Sequence, residues 1–191
     1  MLEKLSTIVN FDLNDGPYIV GSYATYKLGQ QFHTMSWKPK DIDIICRTEE
    51  QMFSLKDKLL PVSGYYNEKQ RLVVSQMFGV HPLQMIWVID GITVTAAIRD
   101  HTAAEQIKTA DYTVTAVATD TISYLASLQT IADVRDNILR IQSLKLNTPC
   151  VGQDAEGWLY SRYQAYVDRG YLDIDSSVLN ELNKLVADSN M

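Results

Sequence analysis

The chain has 191 residues, 46% of them hydrophobic, with 17 basic and 23 acidic side chains for a net charge of −6. That length and apolar share suit one domain, or a small two-lobed unit, with its own core. The acidic balance offers no basic stripe of the kind nucleic-acid binders show, and the absence of an apolar run of about 18 residues or a signal-like leader sets the expectation of a cytoplasmic protein with no membrane partner.

Cys46 and Cys150 stand far apart with no CxxC spacing, so disulfides are not expected. His33, His81 and His101 do not share metal-ligand spacing with them, which argues against zinc. In chain order, Leu2, Leu5, Ile8 and Val9 have helical spacing and predict a helix over residues 2 to 10. Asn14-Asp15-Gly16-Pro17 is a turn. Tyr18 to Val20 reads as a short buried strand, Gly21-Ser22 as a tight turn, and a helix follows near Tyr23. Gly21 lets the backbone approach a ligand, Ser22 is placed to cap the helix, and the free N–H groups of its first turn suit an anion. Gln30 to Pro39 is a loop carrying Phe32, His33, Met35 and Trp37. Its aromatics either cover the edge of a core, the commoner role, or stack on a base.

Lys38-Pro39-Lys40-Asp41-Ile42-Asp43-Ile44-Ile45-Cys46 is a strand by its β-branched run. Residues i and i+2 share a face, so the Asp41 and Asp43 carboxylates enter one small volume, roughly 7 Å apart at Cα. Like charges that close raise one pKa unless a cation lies between them, and all-oxygen ligation suits Mg²⁺ or Mn²⁺. Two surface aspartates on a solvated strand edge are the plainer explanation of the same pattern. Beside the Gly-Ser turn, however, a phosphate cradle and a metal site would stand together, the two parts that phosphoryl or nucleotidyl transfer requires.

Glu49 to Leu60 is an amphipathic helix with Met52, Leu55 and Leu59 inward, Thr48 as N-cap and Pro61 after its end. Leu72 to Phe78, Leu83 to Ile89 and Ile92 to Ile98 are strands, the last two joined by a type I′ turn at Asp90-Gly91. The sum is an α+β palm: an antiparallel or mixed sheet of about five strands with helices on one side. Ile122 to Leu144 reads as helical with mixed spacing. Ala155 to Asp168 is a helix ended by Gly170 as a C′ glycine. Ser176-Ser177 caps a last helix carrying Leu179, Leu182 and Leu185.

Gly21-Ser22 followed by Lys40-Asp41-Ile42-Asp43-Ile44 resembles the nucleotidyltransferase superfamily with the DNA polymerase β-like fold. More narrowly it is similar to the head of bacterial-type CCA-adding tRNA nucleotidyltransferases and their poly(A) polymerase relatives. Ile89 to Arg99 is similar to the family's second hairpin, and Asp111-Tyr112-Thr113-Val114-Thr115-Ala116-Val117-Ala118 to its Asp-Phe-Thr-Ile-Asn-Ala-Leu-Ala segment. Asp133 to Arg140 is similar to the Asp-Leu-x-x-x-Ile-x-Arg that follows, and Gly170 to Asp175 to the end of the family's neck. The resemblance implies a nucleotidyltransferase-like head over residues 1–110 and a helical neck-like region over 111–191. It also implies Asp41 and Asp43 as catalytic metal ligands, and Gly21, Ser22 and Lys27 as nucleotide-binding residues. The implied reaction moves an NMP from a nucleoside triphosphate such as ATP to a hydroxyl on an RNA end, a small molecule or a protein.

The sequence departs from the family in several places. No acid stands inside Ile92 to Ile98, where a third carboxylate is usual, and Asp90 and Asp100 are the nearest acids. Thr25, Thr109 and Ala110 occupy places the family gives to Arg, and Thr115 the place of an Asn. Asp154, Glu156 and Arg162 do not match the offsets of the family's base-reading set. A retired relative that binds a nucleotide, RNA or protein without catalysis is the second reading these departures leave.

Overall fold

The computed structural model describes residues 2–70, 83–143 and 155–189. Seven strands form one sheet: β1 (Tyr18–Val20), β2 (Asp41–Cys46), β3 (Tyr65–Gln70), β4 (Leu83–Ile89), β5 (Ile92–Ile98), β6 (Ala118–Thr119) and β7 (Tyr124–Leu125). Their order is β3-β4-β5-β2-β1-β6-β7. The β2–β5 pair is parallel, and every other neighbouring pair is antiparallel. The hairpin of β4 and β5 forms as expected, with Asp90 (φ 51°) and Gly91 (φ 78°) both in the left-handed region that a type I′ turn requires.

One sheet face is apolar. Ile42, Ile44 and Cys46 of β2, Val94, Ala96 and Ile98 of β5, and Met85, Trp87 and Ile89 of β4 form a core with two helices. These are α1 (Leu2–Ile8) and α3 (Glu49–Leu59). Leu5, Met52, Leu55 and Leu59 are buried against the sheet. Thr48 caps α3, its hydroxyl accepting from the Gln51 N–H. Helices are not confined to that side. On the opposite face Tyr18, Ile45 and Ala118 form a small apolar patch covered by Ala103 and Ile107 of α4 (Ala103–Lys108). A buried patch on the second face needs its own cover, so the expectation of helices on one side alone is corrected.

A second core lies beyond α2 (Gly21–Gly29). Ala24 and Leu28 pack with Val114, with Val134 of α5 (Leu128–Asp136), with Tyr166 of α6 (Ala155–Val167), and with Val178 and Leu182 of α7 (Ser177–Ser189). Trp37 packs against this core, with Tyr26 at 5.4 Å and the Arg169 guanidinium at 4.6 Å from its ring. The loop aromatic is core cover, and its faces are taken by protein. The strand expected over Leu72 to Phe78 lies outside the described residues. β3 was not foreseen because Tyr65-Tyr66-Asn67-Glu68 lacks apolar alternation, as suits the outer position it takes in the sheet. β6 and β7 are two residues each, too short for periodicity, and β7 replaces helix at the start of the segment Ile122 to Leu144.

Helix ends show one agreement and one correction. Gly170 (φ 91°) closes α6 with bonds from its N–H to Val167 O and from Tyr171 N–H to Tyr166 O, a Schellman arrangement. At α7 the cap is Asp173 rather than Ser176 or Ser177. Its carboxylate accepts from Val178 N–H (2.8 Å), Leu179 N–H (3.0 Å) and Tyr163 Oη (3.1 Å). Cys46 is buried and free. Among the described residues no helix is long and apolar enough to cross a membrane. Asp173→Ala is expected to cost about 1–2 kcal/mol in urea unfolding, whereas Ser177→Ala changes stability by no more than about 0.5 kcal/mol.

Candidate active site

β2 presents its two faces unequally. Ile42, Ile44 and Cys46 are buried in the first core, while Asp41 is exposed, Asp43 half-buried and Ile45 buried on the other side. The strand thus passes from solvent, through a cleft, to the cover of α4. Val20 of β1 pairs with Asp43, and Thr95 of β5 pairs with it from the other side. The turn after β1 therefore arrives beside the carboxylates. Gly21 has φ 74°, and a Cβ there would lie 3.2 Å from Asp43 Oδ2, so both conformation and space call for glycine. Ser22 Oγ donates to Asp41 Oδ1 at 3.3 Å. Ser22 is not the helix cap: Val20 holds that position without a side-chain bond.

Asp43 lines a cleft of about 510 Å³ between the sheet, α4 and α6. Enclosure in the protein, and next the neighbouring Asp41 carboxylate, push its pKa up to about 6, while Arg162 and Arg99 pull it down. Asp111 forms the facing wall. It is 8% exposed and its carboxylate pairs with Arg162 Nη2 at 3.2 Å. Burial raises the Asp111 pKa and Arg162 opposes the rise.

The segment that carries Asp111 is fixed from behind. Asp111 O accepts from Gln142 N–H at 2.8 Å, and Arg140 O accepts from Thr113 N–H at 3.0 Å. Asp133, 1% exposed, gathers Thr113 Oγ1 (2.7 Å), Gln129 Nε2 (2.8 Å) and Arg140 Nε (3.0 Å) on one carboxylate. The spacing of Asp133 and Arg140 noted in the sequence is the spacing of this ion pair, allowed by the left-handed Asn137 (φ 55°) between them.

Four of the five expected site residues come together: Asp41, Asp43, Gly21 and Ser22. Lys27 does not join them; six residues along α2 from Gly21, about 9 Å along the axis, it stands off the cleft lining. Asp90 pairs with Lys4 at 3.1 Å and Asp100 with Arg47 at 3.5 Å, so neither supplies a third acid. Thr25, in place of a cation, is fully buried and donates to Val114 O at 2.5 Å. Thr115 lines the cleft and donates to Tyr112 O at 2.8 Å. Sequence reasoning missed Arg99 and the Asp111–Arg162 pair. Alternation along β5 puts Arg99 on the face of Thr95, but only the parallel pairing with β2 shows that Asp43 shares it, and that pairing is not local.

Among the described residues no group of three or more His, Cys, Asp or Glu is arranged to hold a metal ion. Two aspartates on one strand face, Asp43 raised in pKa by burial and then by the charge of Asp41, fit a hard divalent cation that completes its shell with water and phosphate oxygens.

Solved structures of tRNA-processing nucleotidyltransferases are similar to this chain in fold. A tRNA nucleotidyltransferase complexed with a primer tRNA and an incoming ATP analog has 16% identity and a TM-score of 0.46, the match covering 66% of this chain and 35% of that one. The Thermotoga maritima CCA-adding enzyme complexed with tRNA gives the same identity and TM-score over 66% of this chain and 28% of that one. The Bacillus stearothermophilus CCA-adding enzyme in complex with CTP has 13% identity and a TM-score of 0.42, over 67% and 29%. The chain spans about a third of the length of these enzymes, and the likeness is one of fold. No family model matches the sequence, and no curated protein matches it.

The raised Asp43 pKa fixes the sign of a stability effect. Between about pH 4 and pH 6 the folded protein holds the Asp43 proton more tightly than the unfolded chain, so stability falls as pH rises through that window. Above it the full cost is present. In metal-free buffer, Asp43→Asn is expected to be more stable than the parent at pH 7 by an amount on the order of 1–3 kcal/mol, and the gain should vanish near pH 4. Urea titrations at the two pH values measure it.

Proposed function

We propose that this chain is a cytoplasmic, divalent-metal-dependent nucleotidyltransferase that moves an NMP from a nucleoside triphosphate to a hydroxyl on an RNA end, a small molecule or a protein. The observation that carries the reading is the meeting of Asp43 and Gly21 in the cleft with the hydrogen-bonded Asp41 and Ser22 beside them. Asp41 and Asp43 would hold Mg²⁺ or Mn²⁺, whose charge, when bound, favours a nucleophilic oxygen and offsets the negative charge of the reacting phosphate.

The chain's own groups do the rest. Gly21, lacking a Cβ, keeps the space beside Asp43 open, so phosphate oxygens can approach that carboxylate. The first N–H groups of α2 have no partners within the helix and suit those oxygens. Ser22, by donating to Asp41, orients that carboxylate on the exposed side of the pair. Thr95, opposite Asp43 in the register, contributes a hydroxyl where a third carboxylate would add charge. In the reaction the acceptor hydroxyl oxygen forms its bond to the α-phosphorus as the bond to the pyrophosphate oxygen breaks, the leaving group taking the electron pair and the hydroxyl proton passing to water.

The retired-enzyme reading draws on the same positions. Thr25 is committed to Val114 O, and Thr95 is no acid. One assay separates the two. Incubated with labelled nucleoside triphosphates, Mg²⁺ or Mn²⁺ and total RNA, small hydroxyl compounds or protein, the parent is expected to give labelled product. Asp41→Ala and Asp43→Ala should each lower the rate at least about a hundredfold, since a metal supplies several kcal/mol and each tenfold is about 1.4 kcal/mol. No product under either metal, with the partner still bound after Asp41→Ala, assigns the retired reading. Product that survives both substitutions moves the chemistry to another site.

A further inference from the structure

A triphosphate brings several negative charges, and the places where the resemblance implies cations hold none. Thr25 is buried and bonded to Val114 O, Thr109 and Ala110 are uncharged, and Lys27 stands off the cleft. Two guanidinium groups line the cleft instead, Arg99 and Arg162, and both act on Asp43. Arg162 pairs with Asp111. Arg99 stands differently. Among the described residues it forms no ion pair, and its Nε is buried with no acceptor.

Two further buried atoms along the same cleft are unpartnered, Gln84 Oε1 and Gln106 Oε1. The three come from different elements. Gln84 of β4 pairs with Ala97 of β5, so it shares a sheet face with Arg99, two residues beyond Ala97. Gln106 belongs to α4, the helix covering that face, and its Nε2 donates to Thr109 Oγ1 at 3.2 Å. A half-buried guanidinium whose Nε has no hydrogen-bond acceptor is costly unless something supplies one. A carboxamide can turn to present either its oxygen or its NH₂, so the glutamines can meet an oxyanion or its protonated oxygen.

We propose that Gln84, Arg99 and Gln106 form an oxyanion pocket that binds the phosphate oxygens of the nucleotide or its pyrophosphate product, in place of the cations absent elsewhere. Arg99 lies four residues past Thr95, about 13 Å along the strand at Cα. A polyphosphate reaching from the Asp43 end of the cleft towards α4 would meet it. The pocket rests on the nucleotide reading of the cleft, but binding of the inorganic anion tests it without turnover.

The probe is inorganic pyrophosphate, titrated calorimetrically into the full chain in chelator-containing buffer at two salt concentrations. The parent is expected to bind it, more weakly at high salt. Arg99→Gln should weaken binding at least tenfold and flatten the salt dependence, Arg99→Lys should restore part of it, and Lys27→Ala should leave it unchanged. Gln106→Glu, which adds a carboxylate to the lining of the cleft, should abolish binding and covers the case in which Arg99→Gln does not fold. A parent that does not bind pyrophosphate overturns the pocket, as do folded Arg99→Gln and Gln106→Glu proteins that bind it like the parent. Arg99-dependent binding with no labelled transfer removes the enzyme reading and keeps the pocket. Asp41-dependent transfer with pyrophosphate binding indifferent to Arg99 removes the pocket alone.

Discussion

A β-strand sends successive side chains to opposite faces, and β2 uses both. Ile42, Ile44 and Cys46 must stay in the first core, and this fixes which way Asp41, Asp43 and Ile45 face. A slip of one residue would bury two carboxylates among Met85, Trp87 and Val94 and expose three apolar side chains. Everything near the cleft follows from that register. Val20 pairing with Asp43 brings the glycine turn, Thr95 pairing with it brings β5, and Ile45 demands the cover that α4 provides. The same alternation that makes a core possible makes a charged site unavoidable on the other side.

Local patterns predicted local structure well. The ends of β4 and β5, the type I′ turn between them, the buried side of α3 and the glycine after α6 were readable because each depends on neighbours in sequence. Failures have a common cause in distance. Ser22 looks like a cap when only its helix is considered, but Asp41, nineteen residues on, takes its hydroxyl. Ser176 and Ser177 look like caps until the backbone turns through Asp175 and Ser176, both at positive φ, and brings Asp173 under the helix. The carboxylate pair and its glycine were visible from spacing. The cations opposite them were not, because Arg99 reaches Asp43 through a parallel strand pairing and Arg162 through the docking of a helix far along the chain.

The charge balance of the cleft differs from what its parts would suggest one by one. Two aspartates repel, and a third, Asp111, stands across from them, yet two guanidinium groups answer this charge within the same cavity. One is already matched to a carboxylate and one is not.

Asp133 joins three segments through one buried carboxylate: Thr113 from the cleft wall, Gln129 from α5 and Arg140 from the strap that pairs with residues 111 to 113. None of the three can leave without stranding charge or hydrogen-bonding capacity in the interior. Local opening is therefore not free to choose its boundaries. The backbone amides of Thr113, of α5 and of Gln142 are expected to open and close as one unit in hydrogen exchange. Fraying at the strap would reach Asp111 in the same event, so the wall of the cleft is only as long-lived as a helix that does not line it.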